Sequence, residues 1–133
     1  MFCKSITIID DDPISIILSK KLLEKYNVLT DGIQFNSFTS PIAGLDFIKA
    51  HKNEETLNIL LLDINMPEMS GFEVLNELSK LNLKNFNVFM LTSSISDSHR
   101  DTAYEYELVK KFFRKPLLEE AILEINRYLG FKE

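Results

Sequence analysis

Asn58-Ile59-Leu60-Leu61-Leu62-Asp63-Ile64-Asn65-Met66-Pro67-Glu68-Met69-Ser70-Gly71 decides the fold. An unbroken apolar run ends on one acid, and a loop carrying proline and glycine follows. A run of this length between turn signals predicts a strand buried on both faces. Asp63 then stands at the strand's carboxyl end, where open parallel sheets build their sites. Gly71 permits a tight turn before the next helix.

Upstream, Ile6-Thr7-Ile8-Ile9 predicts a first strand, broken by Asp10-Asp11-Asp12-Pro13. Asp12 caps a helix that starts on Pro13 and runs to about Tyr26. Ile14, Ile17, Leu18, Leu22 and Tyr26 form its expected inward stripe. Asp31-Gly32 is a turn, and Ile33, Phe35 and Phe38 mark an edge strand with polar residues interleaved. Ser40-Pro41 repeats the cap-then-proline start for a helix over 41–51, and Lys52 to Thr56 is a polar loop. Downstream of Gly71, a third helix carries Phe72, Leu75, Leu78 and Leu81. Asn87 to Leu91 is a strand ending at Thr92-Ser93-Ser94. A polar helix over 98–107 follows, capped by Ser96 or Asp97. Leu108 to Phe113 is a fifth strand, ending at Arg114-Lys115-Pro116. The last helix presents Leu118, Ile122, Ile125 and Leu129. Five alternations of strand and helix predict a parallel sheet with helices on both faces and right-handed crossovers.

The chain has 133 residues, enough for one domain with a real core. A net charge of -5 disfavours nonspecific binding to nucleic acid or to an anionic membrane. One cysteine, Cys3, makes no internal disulfide. No signal-peptide core and no bilayer-length apolar run is present, so the expected location is the cytoplasm. His51 and His99 have no partners at zinc spacing and read as surface residues. Lys110, Lys111 and Arg114 read as a solvated edge.

The carboxyl ends of the predicted strands offer Asp10 with Asp11, Asp63, Thr92 and Lys115. Carboxylates crowded together resist full ionisation. A hard divalent cation relieves that conflict, and Mg²⁺ prefers a few carboxylates with retained waters. One ammonium and one hydroxyl beside such an ion suit phosphate oxygens. The chemistry on offer is attack by a carboxylate on a phosphoryl group, with Asp63 on the central strand as nucleophile.

Ile8-Ile9-Asp10-Asp11-Asp12-Pro13, Leu61 to Gly71, Met90-Leu91-Thr92-Ser93-Ser94 and Phe112-Phe113-Arg114-Lys115-Pro116 together resemble the receiver domain of two-component response regulators, the CheY-like family. The resemblance spans essentially the whole chain. It implies a flavodoxin-like, doubly wound (βα)5 three-layer sandwich with parallel strand order 2-1-3-4-5. It implies a single receiver domain over residues 1–133 without an output domain. It implies a phosphoryl group passed to Asp63 from the phosphohistidine of a sensor histidine kinase or phosphotransfer protein. Mg²⁺ would bind to Asp11, Asp63 and the backbone carbonyl of Asn65, with Asp10 assisting. Lys115 would pair with Asp63 or its phosphate, and Thr92 would turn toward the phosphoryl oxygen. Phe112 would rotate inward as the second switch residue, its coupling steric because it lacks a hydroxyl. Asn65 and Ser94 match positions that tune dephosphorylation in the family. Output would come through a further protein partner, with no direct contact to nucleic acid or membrane.

Two departures from the family pattern stand out. Tyr104 to Lys111 replaces the usual small residues before strand five, and the segment between Asp11 and Asp63 is several residues longer than common, around Lys52 to Thr56. Two other readings compete. An aspartyl-phosphate phosphatase of the haloacid dehalogenase type needs an acid two residues after the nucleophile, and Asn65 stands there. A receiver that no longer accepts phosphate would not keep the full set of Asp10, Asp11, Asp63, Thr92 and Lys115. The expected role is therefore a phosphoacceptor protein, not a multiple-turnover enzyme.

Overall fold

The computed structural model describes residues 3–30, 32–51, 55–93 and 97–130. Among them five strands and five helices alternate: β1 (Cys3–Ile9), α1 (Pro13–Lys25), β2 (Ile33–Phe38), α2 (Pro41–His51), β3 (Thr56–Asp63), α3 (Gly71–Ser79), β4 (Phe86–Thr92), α4 (Asp97–Tyr104), β5 (Val109–Arg114) and α5 (Glu119–Leu129). All strand pairings are parallel, in the order β2-β1-β3-β4-β5. The sheet is the doubly wound one expected from the sequence.

Strand alternation divides the core in two. Ile9, Leu60, Leu62, Val88 and Met90 pack under α2, α3 and α4 through Leu45, Ile48, Val74, Leu75, Leu78 and Ala103. Ile6, Ile8, Ile59, Leu61, Phe89 and Leu91 pack under α1 and α5 through Ile16, Leu23, Ala121, Ile122, Ile125 and Leu129. Ile59 to Leu62 are fully buried, which is why the run carries no polar residue until Asp63. The outer strand β2 keeps the half-exposed, mixed pattern of an edge.

Three helices begin with built caps, and at α2 the Ser40 hydroxyl accepts from the Ala43 N–H at 3.1 Å. The Asp12 carboxylate accepts from the Ile14 N–H at 3.0 Å, and Pro13 occupies the first helical position. Ser70 and Glu73 form a reciprocal capping box at α3, with both hydrogen bonds at 3.2 Å. Ser70-x-x-Glu73 is the sequence signature of that box.

The structure corrects three readings. The inward face of α1 is Ile16, Ser19 and Leu23, while Ile14, Ile17 and Leu18 are 65%, 52% and 55% exposed. This helix carries apolar residues on two faces, so periodicity alone does not choose between them, and a serine sits in the stripe that packs. Leu118 is the N-cap of α5 and 67% exposed; Leu117 and Ala121 take the place expected for it. α4 stops at Tyr104, and Glu105 to Leu108 turn into β5 through bonds such as Val109 N–H to the Tyr106 carbonyl, 3.1 Å. The Ser96 cap and most of the longer segment at Lys52 to Thr56 lie outside the described residues, and Thr56 itself opens β3.

Candidate functional site

Strand register assembles the site. Ile9 pairs with Leu62, so Asp10 emerges beside Asp63. Asp63 pairs with Leu91, which brings Thr92 one step beyond it on the neighbouring strand. Thr92 pairs with Arg114, and the Lys115 N–H donates to the Thr92 carbonyl at 2.7 Å. Four strand ends thus reach one rim within a residue of each other. Alternation sends Asp10, Asp63 and Lys115 to the α1–α5 side. Thr92 and Phe112 have the opposite parity and belong with the α3–α4 side.

The carboxylates of Asp10, Asp11 and Asp63 converge, each offering an oxygen within 4.8 Å of the others. Asp10 and Asp63 are buried, while Asp11 is exposed at the mouth. Asp10 Oδ1 accepts the Asp12 N–H at 3.0 Å. The Lys115 ammonium lies 2.6 Å from Asp10 Oδ2 and 3.3 Å from Asp63 Oδ1. The lysine therefore pairs with both acids and lies nearer Asp10.

Electrostatics follow from this crowding. Burial, then the Asp10 charge, push the Asp63 carboxyl up to about 7, with Lys115 pulling the other way and a hydrogen bond that the protonated Asp63 donates to Asp11 adding to the rise. Burial works against the Lys115 charge, but hydrogen bonding and charge from Asp10, then Asp63, outweigh it and hold the ammonium above its ordinary range. One cation does not satisfy three acids. A cluster of hard oxygens with a surplus of negative charge fits a small divalent cation such as Mg²⁺.

The other expected residues are placed as follows. Asn65 sits exposed in the loop between β3 and α3, two residues past Asp63. Thr92 is fully buried at the end of β4. Phe112 is partly buried against the α2–α4 cluster. Ser94 lies outside the described residues. The Lys115–Pro116 peptide is cis.

Ile14, Leu18, Leu22, Pro116 and Leu117 line a groove of about 510 Å³ that reaches Asp12, Ser93 and Lys115. An apolar wall therefore borders the acidic crevice. Its signal was the surplus of apolar residues in α1, more than one inward stripe needs.

Among the described residues no helix is long and apolar enough to cross a membrane. The family model for the response regulator receiver domain matches residues 6–127. The chain is 30% identical over 119 residues to the transcriptional regulatory protein FlgR of Helicobacter pylori, covering 90% of this chain and 28% of that protein. It thus spans under a third of that relative's length. Among solved structures it resembles a two-component response regulator from Cytophaga hutchinsonii, with TM-score 0.77, 25% identity, and 98% and 99% of the two chains covered. It also resembles a CheY-like receiver domain protein from Methanospirillum hungatei, with TM-score 0.74, 26% identity, and 96% and 94% covered. With the sheet order, the rim of acids and the facing lysine, these likenesses establish that the chain belongs to the response regulator receiver domain family.

Proposed function

We propose that Asp63 is the phosphoacceptor of a phosphorelay, fed by the phosphohistidine of a sensor histidine kinase or phosphotransfer protein. The observation that carries this reading is the convergence of Asp10, Asp11 and Asp63 on one rim with the Lys115 ammonium among them. An Asp63 oxygen attacks phosphorus, the P–N bond breaks, and the histidine ring leaves as neutral imidazole after taking up a proton. The product is an aspartyl phosphate.

Asp11, Asp63 and the Asn65 carbonyl would hold Mg²⁺, with Asp10 assisting. Bound there, the ion would offset the charge that builds on the transferring oxygens. Lys115, 3.3 Å from Asp63 Oδ1, keeps part of the acceptor anionic and is positioned to move from Asp10 to the new phosphoryl group. Thr92 donates its hydroxyl to a phosphoryl oxygen. Thr92 and Phe112 share the face of the sheet under α3 and α4, so movement of one is felt by the packing of the other. The coupling is steric, and it changes the surface offered to a downstream protein.

The donor protein seats on α1. Ile14 and Leu18 are exposed, and the groove they line runs to Lys115. The chain acts as one cytoplasmic receiver unit, without an output domain within these residues. It serves as a phosphoacceptor and not as a multiple-turnover enzyme.

Incubation with acetyl phosphate and Mg²⁺ tests the assignment. One phosphoryl group should add by intact mass, and addition should vanish with Asp63→Asn or with EDTA. Undiminished labelling of the Asp63→Asn protein would remove Asp63 from its role.

A further inference from the structure

Gly71 is crowded in a way its backbone angles do not explain. Gly32 and Gly130 are the described glycines with positive φ, so Gly71 is not there for a left-handed turn. A β-carbon at Gly71 would instead stand 2.5 Å from the Asp63 carbonyl oxygen, 2.9 Å from the Ile64 α-carbon and 3.2 Å from the Asp63 carbonyl carbon. All three are backbone atoms, which cannot swing aside as a side-chain tip can. The first turn of α3 is therefore seated directly on the peptide that follows Asp63.

The seat is tied from both directions. The Gly71 N–H donates to the Ile64 carbonyl at 2.8 Å, and the Ile64 N–H donates to the Leu91 carbonyl on β4 at 3.0 Å. Ile64 is buried, so the joint has no room to give on the core side. The next residue along the chain is Asn65. Anything that lifts α3 off this peptide must bend the loop between Ile64 and Ser70 and carry the Asn65 carbonyl with it.

We infer that Gly71 is a positioning residue for the cation site: the absence of its side chain sets where the Asp63 carboxylate and the Asn65 carbonyl stand relative to each other. This rests on the reading of those two groups as ligands. Restoring an ordinary carbon–oxygen contact of about 3.3 Å from 2.5 Å requires a displacement of roughly 0.8 Å. Mg²⁺ demands near-ideal octahedral geometry and tolerates such a shift poorly. A misplacement of about 1 Å at a reacting group costs about a hundredfold in rate.

The test is Mg²⁺ titration of wild type, Gly71→Ala and Ser70→Ala, followed by the amide shifts of Asp63, Ile64 and Asn65 in ¹H–¹⁵N spectra, with urea stability measured alongside. Ser70→Ala weakens the same helix start by removing its cap and adds no β-carbon. Gly71→Ala should raise the Mg²⁺ dissociation constant at least tenfold, while Ser70→Ala should lose stability and keep wild-type affinity. Equal affinity in wild type and folded Gly71→Ala would overturn the inference, as would a matching loss in Ser70→Ala. Failure of wild type itself to bind Mg²⁺ would bring down the reading of the ligands, and this inference with it. Should Gly71→Ala not fold, hydrogen exchange of the Gly71 amide in wild type decides. Mg²⁺ at about a hundredfold over its dissociation constant should slow exchange about a hundredfold, and unchanged exchange would overturn the proposal.

Discussion

Replacing Asp63 with Asn in metal-free protein should stabilise the fold above neutral pH and leave it unchanged below about pH 4. In the unfolded chain the carboxyl titrates at its ordinary value of 3.8, and in the native state at about 7. Between those values the native protein holds a proton that the unfolded chain has released. Folding then takes up a proton, and stability falls as pH rises. The stabilisation is fully present below 3.8 and is lost by the time pH passes about 7. A gap of about 3 pH units at 1.36 kcal/mol each sets an upper bound of about 4 kcal/mol. The attraction of Lys115 is already contained in the value of about 7, so the gain expected at pH 8 approaches but does not exceed that bound. Lys115 does not titrate in this window, because its own value is raised. Urea denaturation at pH 4 to 8 with EDTA measures the effect, and an unchanged m-value assigns it to stability and not to compactness. Wild type should lose stability across the range relative to the Asp63→Asn protein. Parallel profiles for the two proteins would refute the claim that buried, crowded acids raise Asp63. Mg²⁺ should recover wild-type stability at pH 8 and leave the Asp63→Asn protein unmoved.

Three further outcomes follow from the same geometry. Leu23→Ala should cost about 3 kcal/mol as a core truncation, whereas Ile17→Ser should cost under about 0.5 kcal/mol; urea midpoints reversing that order would refute the orientation of α1. Leu18→Ala should slow transfer from a phosphohistidine protein about tenfold, a loss of about 1.4 kcal/mol, and leave labelling by acetyl phosphate unchanged; equal loss with both donors would exclude a docking role. Lys115→Met should raise the Asp63 titration further, because the lysine lowers it. A ¹³C carboxyl titration checks this, and a downward movement would contradict the arrangement.

Much of this protein is written locally. The turn signals after Ile9, Leu91 and Phe113, and the single acid ending the β3 run, mark strand ends without reference to any other part of the chain. A parallel sheet gathers its carboxyl ends on one rim by topology alone. Asp10, Asp11, Asp63, Thr92 and Lys115 could therefore be nominated together from sequence. The Asp12 cap was legible for the same reason, since its partner lies two residues away.

What stayed hidden depends on contacts between distant residues. The rotation of α1 was undecidable from a helix with apolar residues on two faces; packing against β1, β3 and α5 chose Ile16, Ser19 and Leu23 and left Ile14, Ile17 and Leu18 outside. The preference of Lys115 for Asp10 over Asp63 is a matter of 2.6 Å against 3.3 Å, set by how β1 and β5 flank β3 and β4. Gly71 reads as a turn residue in isolation, and only the seating of α3 on the Asp63 peptide shows that close approach is its purpose. Periodicity and motif carry information along the chain, whereas the phase of a helix, the choice between two anions and the clearance of a backbone are properties of surfaces that meet only after folding.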